Sequence, residues 1–381
     1  MLRDMLTIDR YLLRQFLYVL LIFLASFLGL FVVADMVNNF DELSSHAAKN
    51  GGLVRVVSAY YAQRALPFVD LTSSLLILMA AMFTIAAFRR HNEMTALLAA
   101  GISKKRIVRP ILIAGVVLTA LAVANREVLI PRFRQQLSYN AQDLASEHVR
   151  EVRPLRDNQT DILIGGQGVI LRSREIDRPI FFLPRGLDRY GRQLASKRAR
   201  YLEADEHHQA GYLLSGVQQA ADLAGKPSVR LGEQPIIITP HDADWLQADE
   251  CFIVSQIDFE QLTSGRGGRQ YSSTWELISA LRNPSLEYGA GARVTIHSRL
   301  VQPLMDMLLL LLGLPLVLSR ENRNPLLAAM LSVVVVGLFM GVTMACRLLG
   351  ENLMISPALA AWCPLMIFAP VAAALGEPLW E

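Results

Sequence analysis

The chain of 381 residues is 52% hydrophobic, carries 37 Lys and Arg against 34 Asp and Glu, and has a mean hydropathy of +0.33. It is too apolar for an ordinary soluble protein and too polar for one made only of membrane helices. A net charge of +3 is too small to define an electrostatic partner, and no basic cluster with interleaved aromatics is present, so no nucleic acid is expected as a ligand.

A bilayer core about 30 Å thick needs roughly 20 apolar residues per helical span. Six runs meet that length, at residues 12–36, 66–88, 107–130, 300–318, 326–346 and 358–375, arranged as three, a long polar block, then three. The first run is too long for a removable signal peptide and lacks the small-residue cleavage pattern. Lys and Arg in short loops near span ends set orientation. Arg3, Arg10, Arg14, Arg89, Arg90, Lys104, Lys105, Arg106, Arg109, Arg320 and Arg323 fall on one side, and only Lys49, Arg55, Arg64 and Arg347 on the other. Both termini are therefore expected in the cytoplasm and the polar block outside it.

After the first run, Leu53, Val56, Val57, Tyr60 and Arg64 follow Gly51-Gly52 as a helical stripe, expected to lie in the interface as an elbow before the chain dives at Pro67. The second and third runs are joined by FRRHNEMTALLAAGISKKRIVRP, residues 88–110. Asn92 is the expected N-cap of a short helix, Glu93 places an acid in its first turn, and Gly101 supplies a left-handed stop. Met94, Leu97, Leu98 and Gly101 share one face by the i, i+3, i+4, i+7 rule, and Ser103 is placed to cap the next span. Such a helix serves equally as a cytoplasmic docking element and as a tight turn lying on headgroups.

Between residues 132 and 269 the apolar runs become short and alternating, at 161–164, 168–172, 180–183, 200–204, 212–217, 235–239 and 252–259, broken by Gly, Pro and Asp. This spacing predicts a β-sandwich or jelly-roll-like fold, with residues 200–217 as a hairpin. Residues 134–153 are expected to be helical. Ser273, Thr274, Trp275 and Glu276 form a capping box for a helix with Trp275, Ile278 and Leu281 on its apolar face, a second elbow, and residues 264–269 (SGRGGR) form its joint to the β-domain. The expected division is therefore residues 1–131 with the short helix at 92–101, the β-domain at 132–270, and the elbow with the last three spans at 271–381.

No catalytic constellation is found. Asp205, Glu206, His207 and His208 lack the i, i+4 spacing of a zinc helix and are better placed as a solvated turn, so no metal is expected. Gly165, Gly166 and Gly168 lack the strand-to-helix context of a nucleotide loop, and a β-turn is the expected account; no G-x-x-x-x-G-K-[ST] occurs, so any ATP is bound by another chain. Cys346 and Cys363 fall in spans and Cys251 is alone outside them, so no structural disulfide is expected. A charge unpaired in lipid costs at least ~2.5 kcal/mol. Asp306, deep in the fourth run, must therefore face protein or water, as packing or as part of a pathway. Asp35, Asp70 and Glu127 lie near outer ends, where snorkelling suffices. Glycine and proline at 312–315 and 337–341 mark kinks or close helix contacts.

Four stretches, IDRYLLRQFL (8–17), NEMTALLAAGIS (92–103), RARYLEA…GYLLSGV (198–217) and HSRLVQPLMDMLLLLLGLPLVLSR (297–320), together with the three-plus-three arrangement, resemble the LptF/LptG permeases. These are membrane subunits of the ABC exporter that extracts lipopolysaccharide from the inner membrane. The resemblance implies six transmembrane helices with an inserted periplasmic jelly-roll-like domain, and a non-enzymatic chain without a bound cofactor. It implies as partners a cytoplasmic ABC ATPase dimer that uses the ATP, a second LptF/LptG-like permease, periplasmic LptC/LptA-like bridge proteins, and lipopolysaccharide or a related lipid. It makes residues 93–101 the coupling helix, with Glu93 meeting a basic residue of the ATPase and Met94, Leu97, Leu98 and Gly101 on the contact face. Lateral access of lipid between the first span of one subunit and the fifth of the other implicates Phe27, Phe31 and Asp35 with Leu338, Phe339 and Thr343.

The chain departs from some members of that family in carrying Asp35, Asp41 and Glu42 where they place cations near the outer end of the first span. Phosphate contact then falls to Arg55, Arg64, Arg126, Arg132 or the partner subunit. Two other classes remain as alternatives. A mechanotransmission-type ABC membrane protein usually has its large domain after the first span, and a scaffold or receptor needs a cytoplasmic output domain that the short inside loops do not provide.

Overall fold

The computed structural model describes residues 2–49, 52–138, 154–170, 173–185, 191–205, 208–218, 225–231, 234–259, 261–262, 270–286, 289–318 and 325–380. Two compact units are present, one of residues Met1–Arg134 with Gly289–Glu381, the other of Gln135–Tyr288. Arg320, Arg323, Glu206, His207, the 264–269 joint and residues 139–153 of the expected helical stretch lie outside the described residues.

The first unit is helical. Its elements are α1 (Leu2–Asn38), α2 (Phe40–Lys49), α3 (Leu53–Arg90), α4 (Glu93–Ala99), α5 (Lys104–Ala124), a π-helical turn (Asn125–Leu129) and α6 (Ile130–Arg132). A further short helix, α7 (Arg134–Ser138), begins at the unit boundary. Among the described residues six helices are long and apolar enough to cross a membrane: Thr7–Asn38, Leu53–Arg90, Lys104–Arg132, Gly289–Leu318, Val333–Glu351 and Pro357–Gly376. The elbow expected before Pro67 is not a separate element, because α3 runs unbroken from Leu53 to Arg90 with Pro67 inside it. A proline removes one hydrogen bond, and in a packed membrane helix neighbouring groups compensate for the loss.

The fourth span, α9 (Gly289–Leu318; α8 belongs to the other unit), is the centre of this unit. Its apolar window is 61% buried against 6% for the first span. Glycine permits the closest approaches. A Cβ on Gly115 would meet Leu310 Cδ2 at 2.8 Å, and one on Gly313 would collide with Leu78 Cδ1, so α5 and α3 both press onto α9. The last two spans are α10 (Pro325–Glu351) and α11 (Pro357–Trp380), locked together where a Cβ on Gly350 would collide with that of Ala360. Gly337 and Gly341 face open space, so among the described residues the close contact expected from them is not made.

The second unit carries eight described strands: β1 (Leu155–Arg156), β2 (Leu163–Ile170), β3 (Glu175–Phe182), β4 (Gln193–Leu202), β5 (Gly211–Val217), β6 (Val229–Leu231), β7 (Gln234–Ile238) and β8 (Glu250–Val254). All eight join one antiparallel sheet in the order β1-β2-β3-β4-β5-β8-β7-β6. The inserted β-domain read from the sequence is therefore present, and the hairpin expected at 200–217 is the β4–β5 pair, with Arg200 opposite Leu213.

Strand alternation sorts β8 between two apolar layers. Phe252 and Val254 pack with Ala243 and Leu246, while Cys251 and Ile253 lie opposite the buried Leu214 and Tyr212. The Tyr212 hydroxyl donates to the Ile257 carbonyl at 3.0 Å, which satisfies the polar end of a fully buried ring. Gly165, Gly166 and Gly168 are not in a turn but inside β2, where a Cβ on Gly166 would meet Ile176 Cγ2 at 2.6 Å. The capping box forms as expected, Ser273 Oγ accepting from the Glu276 amide at 3.1 Å to start α8 (Thr274–Leu281). That helix buries Leu277 and leaves Trp275 74% exposed.

Candidate functional site

The short helix α4 is fixed by backbone chemistry at both ends. At its start Asn92 adopts φ 58°, a left-handed conformation Asn tolerates, and its side chain makes no capping hydrogen bond, contrary to the expected N-cap role. At its end Gly101 takes φ +79° as expected. The Ile102 amide donates to the Leu97 carbonyl at 3.1 Å and the Gly101 amide to Leu98 at 3.0 Å, the paired bonds of a Schellman motif. Ser103 then opens α5 in an extended conformation, again without a side-chain cap.

The faces of α4 differ from expectation. Met94 is 6% exposed inside the helical core, with Leu97 and Leu98 half-buried against it. Of the face assigned from the sequence to a partner, Met94 is thus taken up by the chain's own spans, Leu97 and Leu98 are half-buried, and Gly101 is exposed. What α4 exposes is Thr95, Ala96, Ala99 and Ala100, a small-residue surface beside exposed Arg90, His91, Lys105 and Arg109. Glu93 is half-buried, and Tyr11 Oη of α1 donates to its carboxylate at 3.4 Å. Arg106 at the start of α5 donates to Asp9 of α1 at 2.8 Å, and Arg89 donates to the Val317 carbonyl of α9. The helix is therefore held against its own spans by polar contacts on both sides.

The residues expected along a lipid path lie on two separate faces. Phe31 stacks on Phe68 at 4.6 Å and meets Tyr61 edge-on at 6.3 Å, while Asp35 accepts from the Tyr61 hydroxyl at 2.9 Å, so both join α1 to α3. Phe27 is half-buried. On α10, Phe339 is buried against Phe368 with centroids 5.0 Å apart, Thr343 donates to the Phe339 carbonyl at 2.8 Å, and Leu338 is 60% exposed.

Two acidic groups inside the spans have partners within the chain. Asp306 accepts from Gln302 Nε2 at 2.8 Å. Asp70, assigned to snorkelling from the sequence, instead takes a two-pronged hydrogen bond from Arg126, whose Nε lies 3.0 Å from each carboxylate oxygen. Arg126 is thereby turned from a candidate phosphate contact into an internal counter-ion. The remaining candidates for phosphate contact, Arg55 and Arg132, are exposed, and the Arg64 guanidinium sits 4.3 Å over the Tyr60 ring. The pairing went unread in the sequence, although Asn125-Arg126-Glu127 within an apolar run was its visible mark.

The remaining candidates are structural. The Asp205 amide donates to the His208 carbonyl at 2.9 Å, and the His208 ring packs 5.4 Å from both Trp245 and Phe252. Among the described residues no group of three or more His, Cys, Asp or Glu is placed to hold a metal. Burial pushes the Cys251 thiol up to about 12.

Comparison with protein families gives a match to the lipopolysaccharide export system permease LptF/LptG model over residues 10–177 and 236–377. The chain belongs to the LptF/LptG family. A search among curated proteins found no match. Membership accounts for the six membrane helices and the inserted β-unit together, and it makes the chain a multi-pass transport permease whose family works with ABC partners on lipopolysaccharide. Both matched segments include spans, and the first includes α4.

Proposed function

We propose that this chain is one of two permease subunits of an inner-membrane exporter that extracts lipopolysaccharide, or a related lipid, and passes it to a periplasmic bridge of LptC/LptA-like proteins. Both termini and α4 lie in the cytoplasm, and the β-unit lies in the periplasm. A separate ABC ATPase dimer binds the ATP, and this chain carries no cofactor. The cation bias of the short loops supports that orientation.

The observation that carries the reading is α4 itself. It joins two spans, is held to α1 through Glu93 and Tyr11, and leaves Thr95, Ala96, Ala99 and Ala100 uncovered by the chain's own residues. A small-residue face lets a partner's backbone approach closely, and the rim of cations orients it. ATPase closure pushes on this face, and the spans carry the push to the lipid cavity between the two permeases. On the cavity side, Phe27, Phe31 and Asp35 of the first span face the partner's fifth span, and Leu338 and Thr343 of this chain's fifth span face the partner's first, with Phe339 supporting them from inside against Phe368. Asp306 stays within the bundle.

Substituting Ala99→Trp tests the reading. A bulky ring on an exposed position leaves the fold intact yet blocks the ATPase, so the permease is expected in the membrane at normal levels with the ATPase lost on purification. Retention of the ATPase would remove α4 as the contact.

A further inference from the structure

The far end of the α3–α5 pair carries a polar junction that the coupling role of α4 does not by itself require. Arg126 grips Asp70 through Nε, at 3.0 Å from both carboxylate oxygens, and through Nη2 at 3.0 Å, with the two side chains only 14% and 18% exposed. One residue earlier, Asn125 is 9% exposed and donates through Nδ2 to the Leu66 carbonyl of α3 at 2.9 Å. Both groups come from the π-helical turn Asn125–Leu129. From this wide turn both side chains reach α3, at Leu66 and Asp70, and such turns recur at functional positions.

The pair is costly to hold in a membrane and costly to break. An unpaired charge there is strongly unfavourable, and a buried pair that loses one partner leaves the other uncompensated. A fork of this kind also fixes direction, which a lone lysine would not. At the opposite end the same two helices are joined by α4, and α5 between the ties is 21 residues, roughly 30 Å.

We propose that the Asp70–Arg126 pair, set by the π turn, is the distal latch of a two-helix lever, so that α3 and α5 move as one body when α4 is pushed. This rests on the coupling role proposed for α4. Asp70 and Arg126 are positioning residues that act through the helices they join. Without the latch, the push at α4 is lost as the two helices slide past each other, while ATP is still bound and hydrolysed.

The test uses the complete exporter in lipid nanodiscs, with ATP hydrolysis and lipopolysaccharide release measured together. For Asp70→Asn, ATPase retention and hydrolysis are expected to stay within about twofold of wild type while lipid released per ATP falls about tenfold or more. The double exchange Asp70→Arg with Arg126→Asp is expected to recover release to within about threefold, because it restores the pair with its direction reversed. Wild-type release per ATP in Asp70→Asn, a parallel loss of hydrolysis and release, or no recovery in the exchange would each overturn the latch. If the wild-type chain itself retains no ATPase, the reading of α4 fails and the lever with it, a result distinct from failure of the latch alone.

A measurement free of charge substitution uses spin labels at the exposed positions Leu71 and Val128. Their separation is expected to be the same in the nucleotide-free and vanadate-trapped complex. A nucleotide-dependent change in that distance would overturn the lever.

Discussion

The Tyr11 hydroxyl of the first span donates to the Glu93 carboxylate at the start of α4, at 3.4 Å. The acid therefore does two things at once. It complements the positive end of the short helix, and it ties that helix to α1. Tyr11 is 50% exposed and the hydrogen bond is long, so Tyr11→Phe is expected to cost no more than about 1 kcal/mol of stability. A thermal melt in detergent of Tyr11→Phe against wild type checks this, and a large loss would mean that the contact holds more of the bundle than its geometry accounts for.

A second tie crosses the same interface, Arg106 to Asp9 at 2.8 Å, with side chains 29% and 31% exposed. Partial exposure keeps such a pair modest, at about 0.2–1 kcal/mol. A double-mutant cycle of Asp9→Asn and Arg106→Gln is expected to give a coupling in that range, and one that shrinks as salt is raised. A salt-independent coupling would contradict the partial exposure.

Glycine contacts make a sharper contrast. Gly313→Leu drives a side chain into Leu78 and is expected to destabilise the helical unit by about 1–3 kcal/mol or more, read as a lowered Tm. A Cβ on Gly337 would meet nothing within 4 Å among the described residues, so Gly337→Leu is expected to leave the isolated chain's Tm unchanged. Equal effects from the two would contradict the packing of α3 on α9.

In the β-unit, burial raises Cys251 from 9.0 to about 12 and Tyr201 from 10.0 to about 12, and holds Tyr212 well above its ordinary value. Each of these groups is neutral when protonated, and folding favours that form. The unfolded chain thus releases protons first as pH rises, and the stability these groups contribute is present below about pH 9 and lost progressively toward about 12. Denaturant melts of the β-unit signal between pH 8 and 11 are expected to show falling stability. Cys251 is expected to resist maleimide in the native protein at pH 8 and to react on unfolding.

The six spans were legible because hydropathy over some twenty residues is a long-range average that local detail cannot erase. The β4–β5 hairpin and the Ser273 capping box were legible because each rests on neighbouring residues. What escaped depends on who packs beside whom. Pro67 marks a break in sequence but sits inside an unbroken helix. Met94, Leu97 and Leu98 announce an apolar face without saying whether the chain's own spans or a partner will cover it. Asp70 and Arg126 stand 56 residues apart and meet only where the π turn after α5 packs beside α3. Gly166 owes its place in β2 to the side chain of Ile176 on the neighbouring strand, a close approach that no single segment reveals.

That α4 is where an ATPase drives this permease is tested by detergent co-purification of wild type and Ala99→Trp. The substitution enlarges an exposed residue of the small-residue face and leaves Glu93 and its tie to Tyr11 in place. The wild-type chain is expected to elute with an ATPase and a second six-span permease, and Ala99→Trp to keep the permease while losing the ATPase. An Ala99→Trp chain that retains the ATPase, or a wild-type chain that elutes alone, would contradict the coupling role of α4.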